Sequence, residues 1–152
     1  MNGDIRDYAR IGLVHHMLYP QCMTDPHVHV GTLKEFANRQ DIETFDCCLP
    51  YGQPWRQEAA KAVLDSGKDD VVFAIHFFPF KKFKLAATDY AEQQQVKLII
   101  EDMIAQAAMM KAAGFIFGAG APSALEATQS DFDAFADFCR WLCGQLKPHG
   151  IT

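Results

Sequence analysis

The sequence predicts an α/β fold in which four βα units build a parallel sheet, (βα)4, the N-terminal half of a (β/α)8 TIM barrel. Three observations predict it. Strand-like apolar runs alternate with helical stripes four times, and such alternation gives parallel strands joined by right-handed crossovers. The run Val71 to Phe77 is almost continuously apolar, β-branched and aromatic, as in a strand covered on both faces. Lys147-Pro148-His149-Gly150 reads as a helix stop, and Ile151-Thr152 as the first two residues of a fifth strand. A doubly wound sheet also fits 152 residues. The ending favours the half-barrel, since a full barrel needs about 250 residues. Residues 1–152 are read as one partial barrel domain, with strands five to eight absent.

Arg10 to Val14 reads as strand one, running into His15-His16-Met17, with a loop over Leu18 to Met23. Thr24-Asp25-Pro26 is a helix start, a capping side chain before a first-turn proline. Val30, Leu33, Phe36 and Ala37 form its inward stripe, and the helix ends near Arg39. Ile42 to Leu49 is strand two, broken by Pro50-Tyr51-Gly52. The second helix begins near Pro54, turns Trp55, Ala59, Ala62 and Val63 inward, and stops at Gly67 in a left-handed conformation. Strand three follows, then a connection over residues 78–88 carrying Lys81, Lys82 and Lys84. Asp89 to Glu92 resembles a capping box. Val96, Ile99, Ile100, Met103, Ile104, Ala107 and Met110 then hold a helical period that Gly114 is expected to end. Phe115 to Phe117 opens strand four. The last helix starts at Ser130 with Phe132, Phe135, Phe138, Cys139, Leu142 and Leu146 inward.

Composition excludes several classes of function. The formal net charge is −5 with no Lys/Arg block, so no nucleic-acid partner is expected. No apolar run approaches the roughly 20 residues of a membrane span, and the N-terminus lacks the apolar core of a signal peptide. Five cysteines, without a zinc-type C-x-x-C pair, read as reduced core thiols of a cytoplasmic protein. No nucleophile elbow, Walker loop or H-E-x-x-H occurs.

In parallel α/β sheets chemistry collects at the carboxyl ends of the strands. That edge receives His15 or His16, Asp46, His76 and the loop Gly118 to Ser123. Alternation puts Val72, Ala74 and His76 on one face of strand three, and Thr44 and Asp46 on the matching face of strand two. These smaller sets suit a barrel interior. His76 suits a general acid or base, and Asp46, a carboxylate in an apolar strand, needs a partner or a role. Alternation does not choose between His15 and His16. Gly118 and Gly120 let backbone N–H groups approach a phosphate, and Tyr51 offers a ring beyond strand two. His27 and His29, at i,i+2 on a helix, point in different directions and read as surface residues.

Ile11-Gly12-Leu13-Val14-His15-His16, Phe45-Asp46-Cys47-Cys48-Leu49-Pro50, Phe73-Ala74-Ile75-His76 and Phe138-Cys139-Arg140-Trp141-Leu142-Cys143 through Thr152 together resemble the N-terminal half of the sugar phosphate isomerase/epimerase family, xylose-isomerase-like barrels. The resemblance implies metal-dependent proton or hydride transfer next to the carbonyl of a sugar or sugar phosphate. It implies a divalent metal (Mn, Mg, Zn or Co) held by Glu, Asp and His from strands five to eight, and therefore no metal ligand in this chain. His76 and Asp46 are then catalytic or supporting groups, with His15, His16, Tyr51, Gly118 and Gly120 on the substrate side. The same superfamily includes metal-dependent endonucleases acting at abasic DNA sites. They use a strand-three His, which His76 matches, and a strand-four His, which this chain lacks. Two further readings compete: a non-catalytic half-barrel that self-associates through open sheet edges at strands one and four, and a small complete α/β binding module.

Overall fold

The computed structural model describes residues 9–50, 54–74, 89–118 and 125–152. Their elements are β1 (Gly12–Val14), α1 (His15–Leu18), a 3-10 turn (Pro20–Met23), α2 (Pro26–Ala37), β2 (Thr44–Cys47), α3 (Trp55–Asp65), β3 (Val72–Ala74), α4 (Tyr90–Met109), β4 (Gly114–Ile116), α5 (Gln129–Leu146) and a closing 3-10 turn (Lys147–His149). The strands form one sheet in the order β1-β2-β3-β4, every neighbour parallel. Consecutive order is that of a (β/α)8 barrel; a doubly wound sheet reverses direction at a switch point. The fold is α/β and matches half of such a barrel.

The register explains the two faces. Val14 pairs with Asp46, Asp46 with Val72, and Val72 with Gly114, so one face carries this row. The neighbouring row, Leu13, Phe45, Cys47, Phe73 and Phe115, points the opposite way. Phe45, Cys47, Phe73 and Phe115 are buried under the helices. Phe36 of α2 meets Phe45 edge-on at 5.4 Å, and Phe73 stacks on Phe115 at 5.3 Å. The inner face is the more open one: Ile116 is 52% exposed there, and Gly12, Val14, Thr44 and Val72 are open or half-open, while Ala74 is buried.

α2, α4 and α5 begin where a side chain satisfies their first N–H groups, whereas α1 and α3 begin without a side-chain cap. Asp25 accepts from the amides of His27 and Val28, with Pro26 in the first turn. Asp89 accepts from the Glu92 amide. Thr128 and Asp131 form a capping box for α5, which begins at Gln129, one residue ahead of the expected Ser130. Gly67, at φ 68°, follows α3 as expected.

Four expectations are corrected. Strand one begins at Gly12 rather than Arg10, and His15-His16-Met17, which it runs into, is helical: α1, closed by the Tyr19 amide donating to the His15 carbonyl at 3.0 Å. The helix over 90–109 is not ended by Gly114, which lies in β4; the left-handed residue is Lys111, φ 51°. Phe132 is not inward: it is 54% exposed, while Phe138, Leu142 and Leu146 are buried. The edge of β4 is not open where it begins. Phe115 donates to the Thr152 carbonyl at 2.8 Å, and Thr152 donates to Ala113 at 3.1 Å, the bonding of a parallel neighbour.

One close approach fixes the β1–β2 contact. A Cβ on Gly12 would lie 3.0 Å from Thr44 Cγ2. Thr44 cannot turn away freely, because its hydroxyl donates to the Asp70 carbonyl at 2.5 Å. Gly12→Ala is expected to cost about 1–2 kcal/mol in urea unfolding, the range of mild overpacking. An unchanged midpoint would show that Thr44 yields without loss.

Candidate functional site

The site is built where β1 and β2 end. β2 carries Asp46 on the inner face, half-buried, directly opposite Val14. Two residues past Val14, α1 places His16 half-buried and close enough for the charges of Asp46 and His16 to act on one another. Burial raises the Asp46 carboxyl above its ordinary value, and the charge of His16 pulls it partly back. Burial lowers His16, and Asp46 opposes that shift. Burial disfavours the charge on each group and the partner's charge partly restores it, and a carboxyl beside an imidazole suits a pair exchanging a proton with a bound molecule.

His15, its chain neighbour, goes elsewhere. It is fully buried against α2, with ring centroids 5.5 Å from Phe36 and 5.5 Å from Tyr19. Its Nε2 lies 3.0 Å from the Thr32 hydroxyl of α2. Thus the two histidines that alternation could not separate are separated by α1, whose rotation per residue differs from that of a strand.

His29 is not a surface residue. It is 2% exposed, with Nε2 2.9 Å from the Cys48 carbonyl and Nδ1 3.2 Å from the Cys22 carbonyl. It ties the end of β2 to the 3-10 turn before α2. The signal was present in the sequence: His29 precedes Leu33 by four residues and Phe36 by seven, so it sits on the inward stripe. His27 is exposed, with its ring 3.9 Å from that of Trp55, whose indole also packs against the core.

The remaining expected residues divide. Gly118 is half-buried just past β4. His76, Tyr51 and Gly120 lie outside the described residues, as do Lys81, Lys82 and Lys84. Cys22, Cys47 and Cys48 are buried free thiols, Cys139 is half-buried and Cys143 exposed.

A hard divalent cation wants several oxygen ligands. The inner-face positions of the four strands are Gly12, Val14, Thr44, Asp46, Val72, Ala74, Gly114 and Ile116, and Asp46 is the single carboxylate among these described residues. These residues do not fit such an ion. The described residues do bring one softer set together, His15, Cys22 and His29.

No protein-family model matches the chain, and no curated protein matches its sequence. Solved structures do match. One is a D-tagatose 3-epimerase-like protein, with TM-score 0.68 and 10% identity, over 95% of this chain and 51% of that one. Another is a D-psicose 3-epimerase in the presence of D-fructose, with TM-score 0.67 and 13% identity, over 95% and 50%. A Rhodospirillum rubrum protein named as a candidate xylose isomerase gives TM-score 0.62 and 16% identity, over 94% and 52%. The chain spans about half the length of each, and at these identities the likeness is one of fold. Among the described residues no helix is long and apolar enough to cross a membrane.

Proposed function

We propose that this chain is the β1–β4 half of a sugar or sugar-phosphate isomerase or epimerase barrel, with its substrate on the inner face at the strand ends. The observation that carries the reading is the more open inner face, with Asp46 and His16 at its carboxyl edge. The sugar epimerases among the structural neighbours support it. Moving a carbonyl or inverting the carbon beside it requires a proton to leave and return. Asp46 and His16 are the groups here that hold and exchange that proton. His76 completes the set as a second acid or base, and Tyr51, Gly118 and Gly120 line the sugar. A divalent metal (Mn, Mg, Zn or Co), as the family resemblance implies, would take its carboxylates from strands beyond this half.

The test is ketose epimerisation by the protein expressed from its full native reading frame, supplied in turn with each of the four metals. Asp46→Asn is expected to lower kcat/KM by about 100-fold or more, the usual range for a lost acid–base group, with little change in stability. No turnover of any ketose would sink the reading.

A second reading has its own observation. Ile11 and Leu13 on the β1 edge, and Ile116 on the inner face at the β4 side, are exposed apolar side chains on the uncovered parts of the sheet. A non-catalytic half-barrel would cover them with a second copy. Sedimentation equilibrium of the chain as a monomer would count against self-association.

A further inference from the structure

His15, Cys22 and His29 come from three different elements, α1, the 3-10 turn and α2, and converge below the surface. They are 0%, 3% and 2% exposed. One donor atom from each lies within 4.8 Å of the other two. His15 Nδ1 and Cys22 Sγ are 3.9 Å apart.

The surrounding hydrogen bonds fix which nitrogens carry protons. The Thr32 hydroxyl donates to the Val28 carbonyl at 2.7 Å, so toward His15 it accepts. His15 therefore carries its proton on Nε2 and turns a bare Nδ1 toward the thiol. His29 faces two carbonyls, and a carbonyl only accepts. A neutral imidazole has one N–H to offer. The shorter contact, Nε2 to Cys48 at 2.9 Å, takes it, which leaves Nδ1 bare against the Cys22 carbonyl at 3.2 Å. A buried lone pair facing a carbonyl oxygen is an unsatisfied arrangement, and a cation relieves it. Ligating histidines usually donate their other N–H to a backbone carbonyl or a similar acceptor, which is the arrangement here for both rings.

We propose that His15 Nδ1, His29 Nδ1 and Cys22 Sγ bind one borderline-soft divalent cation of the Zn²⁺ class, with a fourth position open to a neighbouring hollow. Two imidazoles and one thiolate select such ions over Mg²⁺ or Mn²⁺. Tetrahedral zinc bonds put ligand atoms about 3.5 Å apart. The donors therefore draw together by an ångström or so. On binding, the Cys22 thiol proton leaves to solvent and the sulfur binds as thiolate, while both imidazoles bind neutral. The hollow, about 190 Å³, is lined by Cys22, His29, Asp25, Leu49 and Pro50 among others, and opens beside the end of β2. It has room for a water or a small anion as fourth ligand. The site uses none of the groups assigned to the sugar, so it stands or falls separately from that reading.

The experiment is Co²⁺ titration of the chelator-treated full chain, read by absorption. Expected are one ion per chain, a thiolate-to-cobalt charge-transfer band in the near ultraviolet, intense visible bands of four-coordinate cobalt, and loss of all of them on adding Zn²⁺. Cys22→Ser is expected to abolish the charge-transfer band and weaken binding at least about tenfold. Cys143→Ser and Cys139→Ser should keep both. A wild-type chain without the band overturns the proposal. So does a folded Cys22→Ser protein that keeps it, or a band lost with Cys139 or Cys143. Should Cys22→Ser not fold, His29→Gln serves in its place, with the band expected to weaken and shift; an unchanged spectrum overturns the site.

Discussion

Replacing Phe45 with alanine is expected to lower the stability of this chain by about 3–5 kcal/mol, as for large-to-small changes of buried aromatics. Phe45 sits at the centre of β2, is 0% exposed and meets Phe36 of α2 edge-on. Its removal deletes the ring that joins sheet to helix layer, and strands paired on both sides of β2 cannot close the space. Domains are commonly stable by only about 5–15 kcal/mol, so this one ring carries a large share. Urea unfolding followed by far-ultraviolet circular dichroism measures the loss. Phe132→Ala is the control: that ring is 54% exposed, and its removal should stay within about 0.5 kcal/mol. Equal losses at the two positions would mean that the sheet face assignments are wrong.

The contrast between these phenylalanines shows what periodicity reads and what it does not. The parallel alternation, the strand order and the inward stripes of α2 and α4 are repeated many times along the chain, and repetition makes them legible. Thr44 and Asp46 share a face because strand alternation admits no other answer. Phe132 lies in the first turn of α5 and is exposed, and a stripe gives no notice of where along a helix burial begins. Gly114 misled for a related reason. Glycine signals a stop, but here it lies inside β4, where a Cβ would meet the Thr152 carbonyl and Val72 at ordinary contact distances of 3.4 and 3.5 Å.

The candidate site was legible in its edge and not in its pairs. Asp46 stood out as a carboxylate in an apolar strand, and the structure sets it beside His16. The separation of His15 from His16 depends on a single helical turn directly after β1, too short to leave a pattern in the sequence. His29 was misjudged by comparison with His27 two residues away, when its own i,i+4 relation to Leu33 places it inward. Cys22, His15 and His29 meet only through tertiary packing of three elements, which no local spacing announces.

Those buried histidines give the second large effect, a loss of stability in mild acid. Burial, reinforced by neighbouring His29 and His16, lowers His15 from 6.5 to about 3. Burial lowers His29 as well, against the pull of its two carbonyl partners. In the unfolded chain each imidazole takes a proton below its ordinary value near 6.5; in the folded chain His15 takes one only near 3. The stabilisation is thus complete above about pH 6.5 and is lost as pH falls toward 3. Each pH unit within that window costs up to about 1.4 kcal/mol per group, or roughly 3 kcal/mol from His15 alone between pH 6.5 and 4. Asp46 acts in the opposite sense, because its raised value lets the folded chain hold a proton more readily. Its shift is partly offset by the charge of His16. Urea unfolding of chelator-treated protein at pH 7, 6, 5 and 4 should show a steadily falling midpoint. In His15→Gln the slope between pH 6.5 and 4 should flatten, whatever that substitution does to stability at pH 7, because glutamine has no proton to gain. An equal slope in the variant would show that His15 is already charged, or is reached by water, in the folded chain.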